Sequence, residues 1–177
     1  MPSSYFKTEG LVMKKMPFGE ADFLVRVLTK DFGKMDVLAK GARKTTSKLN
    51  AHLDILNHIR MQFVKNGERI PTLMDAEVIS RFDGWFLSEA KLAIAGRILQ
   101  TLDIALFGGA KDEKLFSMTI DFFRPNADQP RAGDNIKLIE ERALGFLRDF
   151  FAHEGYGDSL PEEHIDAILG LWPRLKN

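Results

Sequence analysis

The sequence predicts an α+β protein, with a five-stranded barrel over residues 1–82 followed by an all-α helical domain over residues 83–177. Three observations carry that expectation. Apolar residues alternate with a period of two through the first eighty or so positions and recur at helical spacing from about residue 83. The charge divides at the same place: residues 1–82 hold 14 Lys and Arg against 9 Asp and Glu, and residues 83–177 hold 11 against 16, so the formal net charge of zero conceals +5 followed by −5. Finally, five short strands fit a closed barrel better than an open sheet, because closure removes the long unpaired edges.

The elements follow in order. Residues 5–16 read as an extended strand that stops at the turn Pro17-Phe18-Gly19. Residues 22–30 form the second strand, with Phe23, Val25 and Val27 inward and Arg26 and Thr29 set against them. Asp31-Phe32-Gly33-Lys34 is a tight turn, and 35–39 is the third strand. Residues 40–50 (KGARKTTSKLN) form a polar loop. Residues 58–64 are the fourth strand, Asn66-Gly67 is a hairpin signal, and 70–80 is a fifth strand bent near Asp75. From 83 to 107 the period becomes helical, with Leu92, Leu99 and Leu106 as the stripe, flanked by Ala95, Ile98 and Leu102, and Gly108-Gly109 as the stop. Asp112 is placed to cap a second helix running to about Phe123. A loop with two prolines spans 125–133. Asp134 would cap a third helix over 135–153, with Ile139, Leu144, Leu147 and Phe151 inward, closed by Gly155-Tyr156-Gly157. A last helix is expected over 161–171, with Pro161 in its first turn and Glu162-Glu163 near the positive end of its dipole.

Composition excludes several function classes. The 177 residues are 45% hydrophobic, mean hydropathy is −0.16, and no apolar run approaches the ~20 residues of a membrane helix. The first residues, MPSSYFKTEG, contain no apolar signal core, so a soluble cytoplasmic protein is expected. There is no cysteine, and His52, His58, His153 and His164 lack metal-ligand spacing, so neither a metal nor another cofactor is expected. No phosphate loop, GxGxxG after a strand, or GxSxG is present, and no catalytic residue is assigned.

The informative segment is the loop at 40–48. Lys40, Arg43, Lys44 and Lys48 occur there with no acidic residue, while Gly41, Thr45, Thr46 and Ser47 offer amides and hydroxyls. Arg26, Lys30 and Lys34 precede them. Cations on a loop with small hydrogen-bonding neighbours suit phosphate oxygens, and glycine allows close backbone approach. The plain alternative is a solvated loop whose lysines serve solubility. Base stacking would need exposed rings. Phe23 and Phe63 read as core by alternation, whereas Phe18 and Phe32 fall in turns, and packing is the default for any one of the four.

The first half also resembles a known family. The run from Lys7 to Leu49 contains Lys7-Thr8-Glu9, Phe18-Gly19-Glu20-Ala21-Asp22, Phe32-Gly33-Lys34 and Lys40-Gly41-Ala42-Arg43, and these four blocks, in that order and spacing, resemble the RecO recombination mediators. Met74-Asp75-Ala76-Glu77-Val78 resembles the end of that family's barrel, and RALGFLRDFFAHEGY, 142–156, resembles the helix closing with Gly-Tyr in its second domain.

The resemblance implies an OB-fold followed by a helical domain, and a cytoplasmic, nucleoid-associated protein of DNA repair and recombination. It implies binding of single- and double-stranded DNA, annealing of complementary strands, action with RecR, contact with the acidic tail of single-stranded DNA-binding protein, and loading of RecA. Lys40, Arg43 and Lys44 fall where DNA contacts would be expected. A tail-binding site should pair a cation with an apolar pocket on the helical domain. Lys91 and Arg97 are candidates by residue type, and a solvated helix surface accounts for them equally well. The sequence departs from many members in having no cysteine zinc module after the Gly-Tyr position. The rival reading is a protein-interaction adaptor whose barrel is only a scaffold and whose acidic helical half binds a partner. If Arg26, Lys30 or Lys34 shared a face with the loop cations, the DNA reading would gain; if Asp31 and Asp36 neutralised that face, the adaptor reading would gain.

Overall fold

The computed structural model describes residues 4–125 and 136–155. Five strands close into a barrel in the order β1-β2-β3-β5-β4, which is the OB-fold barrel expected. The strands are β1 (Ser4–Phe18), β2 (Asp22–Thr29), β3 (Gly33–Ala39), β4 (Asn57–Lys65) and β5 (Thr72–Arg81). β1 is long because it serves two partners. Its first half pairs antiparallel with β4, from Ser4↔Lys65 to Leu11↔His58, and its second half with β2, from Gly10↔Thr29 to Phe18↔Asp22. A register shift between Val12 and Lys14 allows the bend, as an extra residue in one strand raises the local twist. β5 carries two similar shifts opposite β4, at His58/Ile59 and Gln62/Phe63. The second skips Met74, beside the bend expected at Asp75.

Alternation fills the interior with Val12, Val25, Val27, Val37, Ile59, Met61 and Phe63. Thr29 was expected to face outward and is instead fully buried. Its hydroxyl is satisfied there, donating to the Gly33 carbonyl at 2.7 Å and accepting from the Phe32 amide at 3.0 Å, so burial leaves no polar atom stranded. Barrel closure between β3 and β5 rests on one parallel pair, Leu38↔Thr72, with the Leu38 amide donating to the Pro71 carbonyl at 2.8 Å.

The change of period near residue 82 does not end the barrel's compact unit. That unit comprises residues 1–83 together with 106–124, and the second unit comprises 84–105 with 125–177. The segment 106–124 returns because its residues have partners on the barrel. The Gly109 amide donates to the Lys34 carbonyl at 3.3 Å, Lys111 pairs with Asp31 at 3.5 Å, and Lys30 with Glu113 at 3.1 Å. Helix α2 (Glu113–Phe123) sets Phe116 edge-on to His58 at 5.8 Å and stacks Phe123 on Phe82 at 6.3 Å. Its N-cap is Asp112, as expected, whose carboxylate accepts from the Leu115 amide at 2.8 Å.

In the second unit, α1 (Glu89–Ala105) packs on α3 (Ile136–His153). A short 3-10 turn, Asp83–Phe86, precedes α1, where a continuous helix from 83 was expected. The buried face of α1 is Ile94, Ala95, Ile98, Leu99, Thr101 and Leu102. Leu92 is 47% exposed and Leu106 lies beyond the helix, so the seven-residue leucine spacing is not the packing stripe. A single globular contact follows the 3.6-residue period, not a heptad. Likewise α3 buries Ala143, Phe146, Leu147, Phe150 and Phe151, while Ile139 and Leu144 are half-buried. Asp134, Tyr156-Gly157 and the helix expected over 161–171 lie outside the described residues.

Candidate nucleic-acid interface

Hydrogen bonds stitch the first of the four sequence blocks to the residues just ahead of the third, and the second block to the fourth. At one end of the β2–β3 hairpin, the Thr8 hydroxyl donates to Asp31 Oδ2 at 2.7 Å, and the Lys30 amide donates to the Glu9 carbonyl at 2.9 Å. That hydroxyl, with Lys111 beside it, holds the Asp31 carboxyl below the usual carboxylate range. At the other end, the Gly41 amide donates to Asp22 Oδ1 at 2.7 Å, and the Arg43 amide to the Ala21 carbonyl at 2.9 Å. The Arg43 guanidinium donates to the Gly19 carbonyl at 2.9 Å. Gly41 sits at φ +66, where a glycine meets no steric penalty, so the chain leaves β3 in a tight reversal with its amide aimed at Asp22.

This reversal presents the cationic loop. Lys40, Arg43, Lys44 and Lys48 are all exposed, and none forms an ion pair among the described residues. Arg43 is anchored as well as exposed, so it shapes the loop in addition to charging it. Lys48 precedes the 3-10 turn Leu49–His52 and makes no side-chain cap bond.

The three upstream cations are placed differently. Arg26 makes a two-point contact with Asp36, Nε–Oδ1 and Nη2–Oδ2 both at 2.8 Å, because the register sets Arg26 opposite Asp36 on one face of β2 and β3. Lys30 is held by Glu113, which raises its pKa through a hydrogen bond and charge. Lys34 sits at the far end of the hairpin, opposite Leu28, and has a partner. Six residue pairs separate Thr29↔Gly33 from Phe23↔Ala39, about 20 Å at the rise of a strand. The structure therefore gathers the loop cations at one end of the hairpin and leaves Lys30 and Lys34 at the other.

Two features were missed from sequence. Lys14 is exposed, lies opposite Arg26 in register, and forms no ion pair among the described residues. Only the β1–β2 pairing puts it there, past a register shift that alternation cannot foresee. On the same outer face, the pairing Met16↔Leu24↔Leu38 makes a half-buried apolar row between Lys14 and the loop. Of the four rings weighed from the sequence, Phe18, 46% exposed beside the Gly19 carbonyl that receives Arg43, is the one exposed and open to stacking. Phe32 is half-buried and packs edge-on to Phe6 at 5.4 Å and to Phe63 at 5.3 Å. Phe23 is partly buried, with Lys15 Nζ 4.8 Å above its ring.

On the helical unit, Lys91 and Arg97 both lie on α1 and are half-buried, and neither is without a partner. Six positions apart, they point about 120° from one another around the axis and do not form one patch. No helix among the described residues is long and apolar enough to cross a membrane.

Residues 1–82 match the family described as Recombination protein O N terminal. Over 149 residues the chain is 31% identical to the DNA repair protein RecO of Thermodesulfovibrio yellowstonii, covering 82% of this chain and 60% of that one. It is 31% identical over 118 residues to the DNA repair protein RecO of Listeria welshimeri, covering 67% and 46%. The corresponding protein of Dehalococcoides mccartyi is 38% identical over 77 residues, 44% of this chain and 30% of that one. The chain thus spans 60% or less of the length of these relatives.

Proposed function

The chain belongs to the RecO family, and from that premise we propose that it is a non-catalytic mediator of DNA repair and recombination. In this reading the barrel of residues 1–82 binds single- and double-stranded DNA and promotes strand annealing. The helical part of 83–177 meets protein partners: RecR, and the acidic tail of single-stranded DNA-binding protein near Lys91 and Arg97. The product is RecA loaded on gapped DNA, in a cytoplasmic, nucleoid-associated setting.

The observation that carries the DNA reading is the loop at 40–48: three exposed lysines without ion pairs among the described residues, on a backbone pinned by Asp22 and Arg43. A pinned loop holds its charges in register with a polyanion before binding, so little ordering entropy is lost on contact. Lys14 extends the positive surface along β1, and Phe18 offers a ring for an unstacked base.

Counterion release gives the test. Each phosphate neutralised on a single strand contributes about −0.7 to the slope of log K against log salt. Changing Lys40, Lys44 and Lys48 to Ala should flatten that slope by about 2, with similar weakening across sequences. Arg43 is left intact, because removing its bond to the Gly19 carbonyl would disturb the loop itself. A triple variant that binds single strands as tightly as the parent at every salt concentration would remove the loop as the DNA site.

The adaptor reading keeps one observation in its favour. Asp36 neutralises Arg26 and Glu113 neutralises Lys30, so two of the seven expected cations are already paired within the chain. Failure of the salt-slope test would promote that reading.

A further inference from the structure

Among the described residues the outer edge of β3 is bonded at two points, one beside β5 and one by the 106–124 segment. At the Leu38 end, the Leu38 amide donates to the Pro71 carbonyl. At the Gly33 end, the Lys34 carbonyl accepts from the Gly109 amide. Between them the ladder has no further pair, and a cavity of about 540 Å³ opens there, within the size range of ligand pockets. Its floor is an aromatic trio. Phe6 and Phe63 are stacked at 5.3 Å, and Phe32 stands edge-on to both. Ile70, 46% exposed, and Pro71 form the wall on the β4–β5 hairpin. Lys65 and Arg69 stand at the rim, both exposed and without an ion pair among the described residues.

We propose that this cleft takes one unstacked nucleobase of a bound single strand, with Lys65 and Arg69 on the adjoining phosphates. The inference rests on the DNA-binding reading above and extends it to a second contact on the same barrel. Three features select this occupant. The floor offers the ring surface of half-buried Phe6 and Phe32, with Phe63 itself buried, and ring surface accepts any base because every base has a π face. The rim supplies two cations for a polyanion; of the two carboxylates that also line the cleft, Asp36 is occupied by Arg26, and Glu68 still leaves one net positive charge at the mouth. The cleft also lies along β3 from the loop cations: Met35 lines it and Lys40 directly follows the strand, about 17 Å apart at the rise of a strand. One strand of nucleic acid could engage both within the ~4–16 nucleotides that an OB-fold covers.

An extended peptide fits less well. Strand addition gains affinity from several main-chain bonds. On this edge of β3 the Lys34 carbonyl and the Leu38 amide are already taken, which leaves only the level of Asp36 between them.

The test is photocrosslinking of the full chain to oligothymidylate carrying one 5-iodouracil, with the adducts mapped by mass spectrometry. Adducts are expected in peptides containing Phe6, Phe32 or Met35. Changing Lys65 and Arg69 to Ala should flatten the salt slope by about 1.4 and reduce those adducts several-fold. Ile70→Trp, which fills the mouth from an exposed position, should abolish them while loop-dependent binding persists. Thermal melts of both variants check that the barrel still folds. If the strand binds with the loop-dependent slope but adducts fall only on 40–48, the cleft proposal is overturned and DNA binding stands. An acidic peptide that occupies the cleft while the strand leaves it unmodified overturns it too. If no salt-dependent single-strand binding occurs at all, both readings fall together.

Discussion

Replacing Gly33 by Ala tests whether the segment 106–124 is held on the barrel by the close approach seen at the β2–β3 hairpin. Gly33 has φ +63, and a Cβ there would stand 2.1 Å from the carbonyl oxygen of Ala110 and 2.9 Å from its carbon. Two costs combine. A left-handed conformation costs a non-glycine residue about 1–2 kcal/mol. Forcing an atom into packed backbone costs about 1–3 kcal/mol more, since neither the hairpin nor the 108–110 segment ends in a flexible side chain that can swing aside. Gly67 supplies the control. Its φ is +60 and a Cβ there meets nothing within 4 Å, so Gly67→Ala should cost only the conformational part. The difference between the two variants isolates the crossing, at about 1–3 kcal/mol. Hydrogen exchange of the β2 and β3 amides under increasing urea reads barrel stability directly, independent of the helical unit. Equal losses in the two variants would refute the reasoning, because the Ala110 backbone would then give way without resistance.

Further predictions follow from individual partners. His58 is buried against Phe116, and burial lowers its pKa below 6.5 against the weaker opposing pull of Glu9, whose Oε2 lies 3.4 Å away. The folded protein therefore holds this imidazole neutral. The unfolded chain protonates it first as pH falls, so stability is complete above about 6.5 and declines below it. In His58→Leu that part of the decline should vanish from a series of urea midpoints taken across this range. Asp112→Ala removes the cap on the Leu115 amide and should cost about 1 kcal/mol, read as lost protection of the first turn of α2 in hydrogen exchange.

Legibility followed the range of the interactions involved. Strand positions, the Asn66-Gly67 hairpin and the Asp112 cap depend on residues within a few positions of one another, and their signals were plain. Two features depend on partners ten or more positions along the chain and were not. The pairing of Arg26 with Asp36 needs the β2–β3 register, and that of Lys30 with Glu113 needs a helix eighty-odd residues away to return to the barrel. Thr29 is a local exception: it reads as polar and outward, yet the tight turn three and four positions on supplies both of its hydrogen bonds and lets it sit inside. The loop at 40–48 was legible as a charge cluster, because an acid-free run needs no tertiary knowledge to notice. That Arg43 anchors the loop, while Lys40, Lys44 and Lys48 do not, was invisible until Gly19 was placed beside it.

Those stitches divide the family blocks into residues that shape the loop and residues that charge it, and Asp22 distinguishes the two roles. Its carboxylate lies within the cationic region, so charge alone says it should oppose a polyanion. Its bond to the Gly41 amide says the reverse, that it fixes the reversal presenting Lys40 and Lys44. Two substitutions separate these effects. Asp22→Asn removes the charge and keeps an oxygen that accepts from the amide. Asp22→Ala removes both. If positioning dominates, the Asn variant should bind single strands at least as well as the parent. The Ala variant should then bind about tenfold less well, since a hydrogen bond to a charged group is worth about 1.5–3 kcal/mol and the freed loop must be reordered on binding. The salt slope should stay within about 0.5 of the parent in the Ala variant, because every cation that releases counterions is still present. If charge dominates, both variants should bind more tightly. Tighter binding by Asp22→Ala would show that the Gly41 bond does not preorganise the loop, and would leave the lysines acting as an unstructured charge cluster.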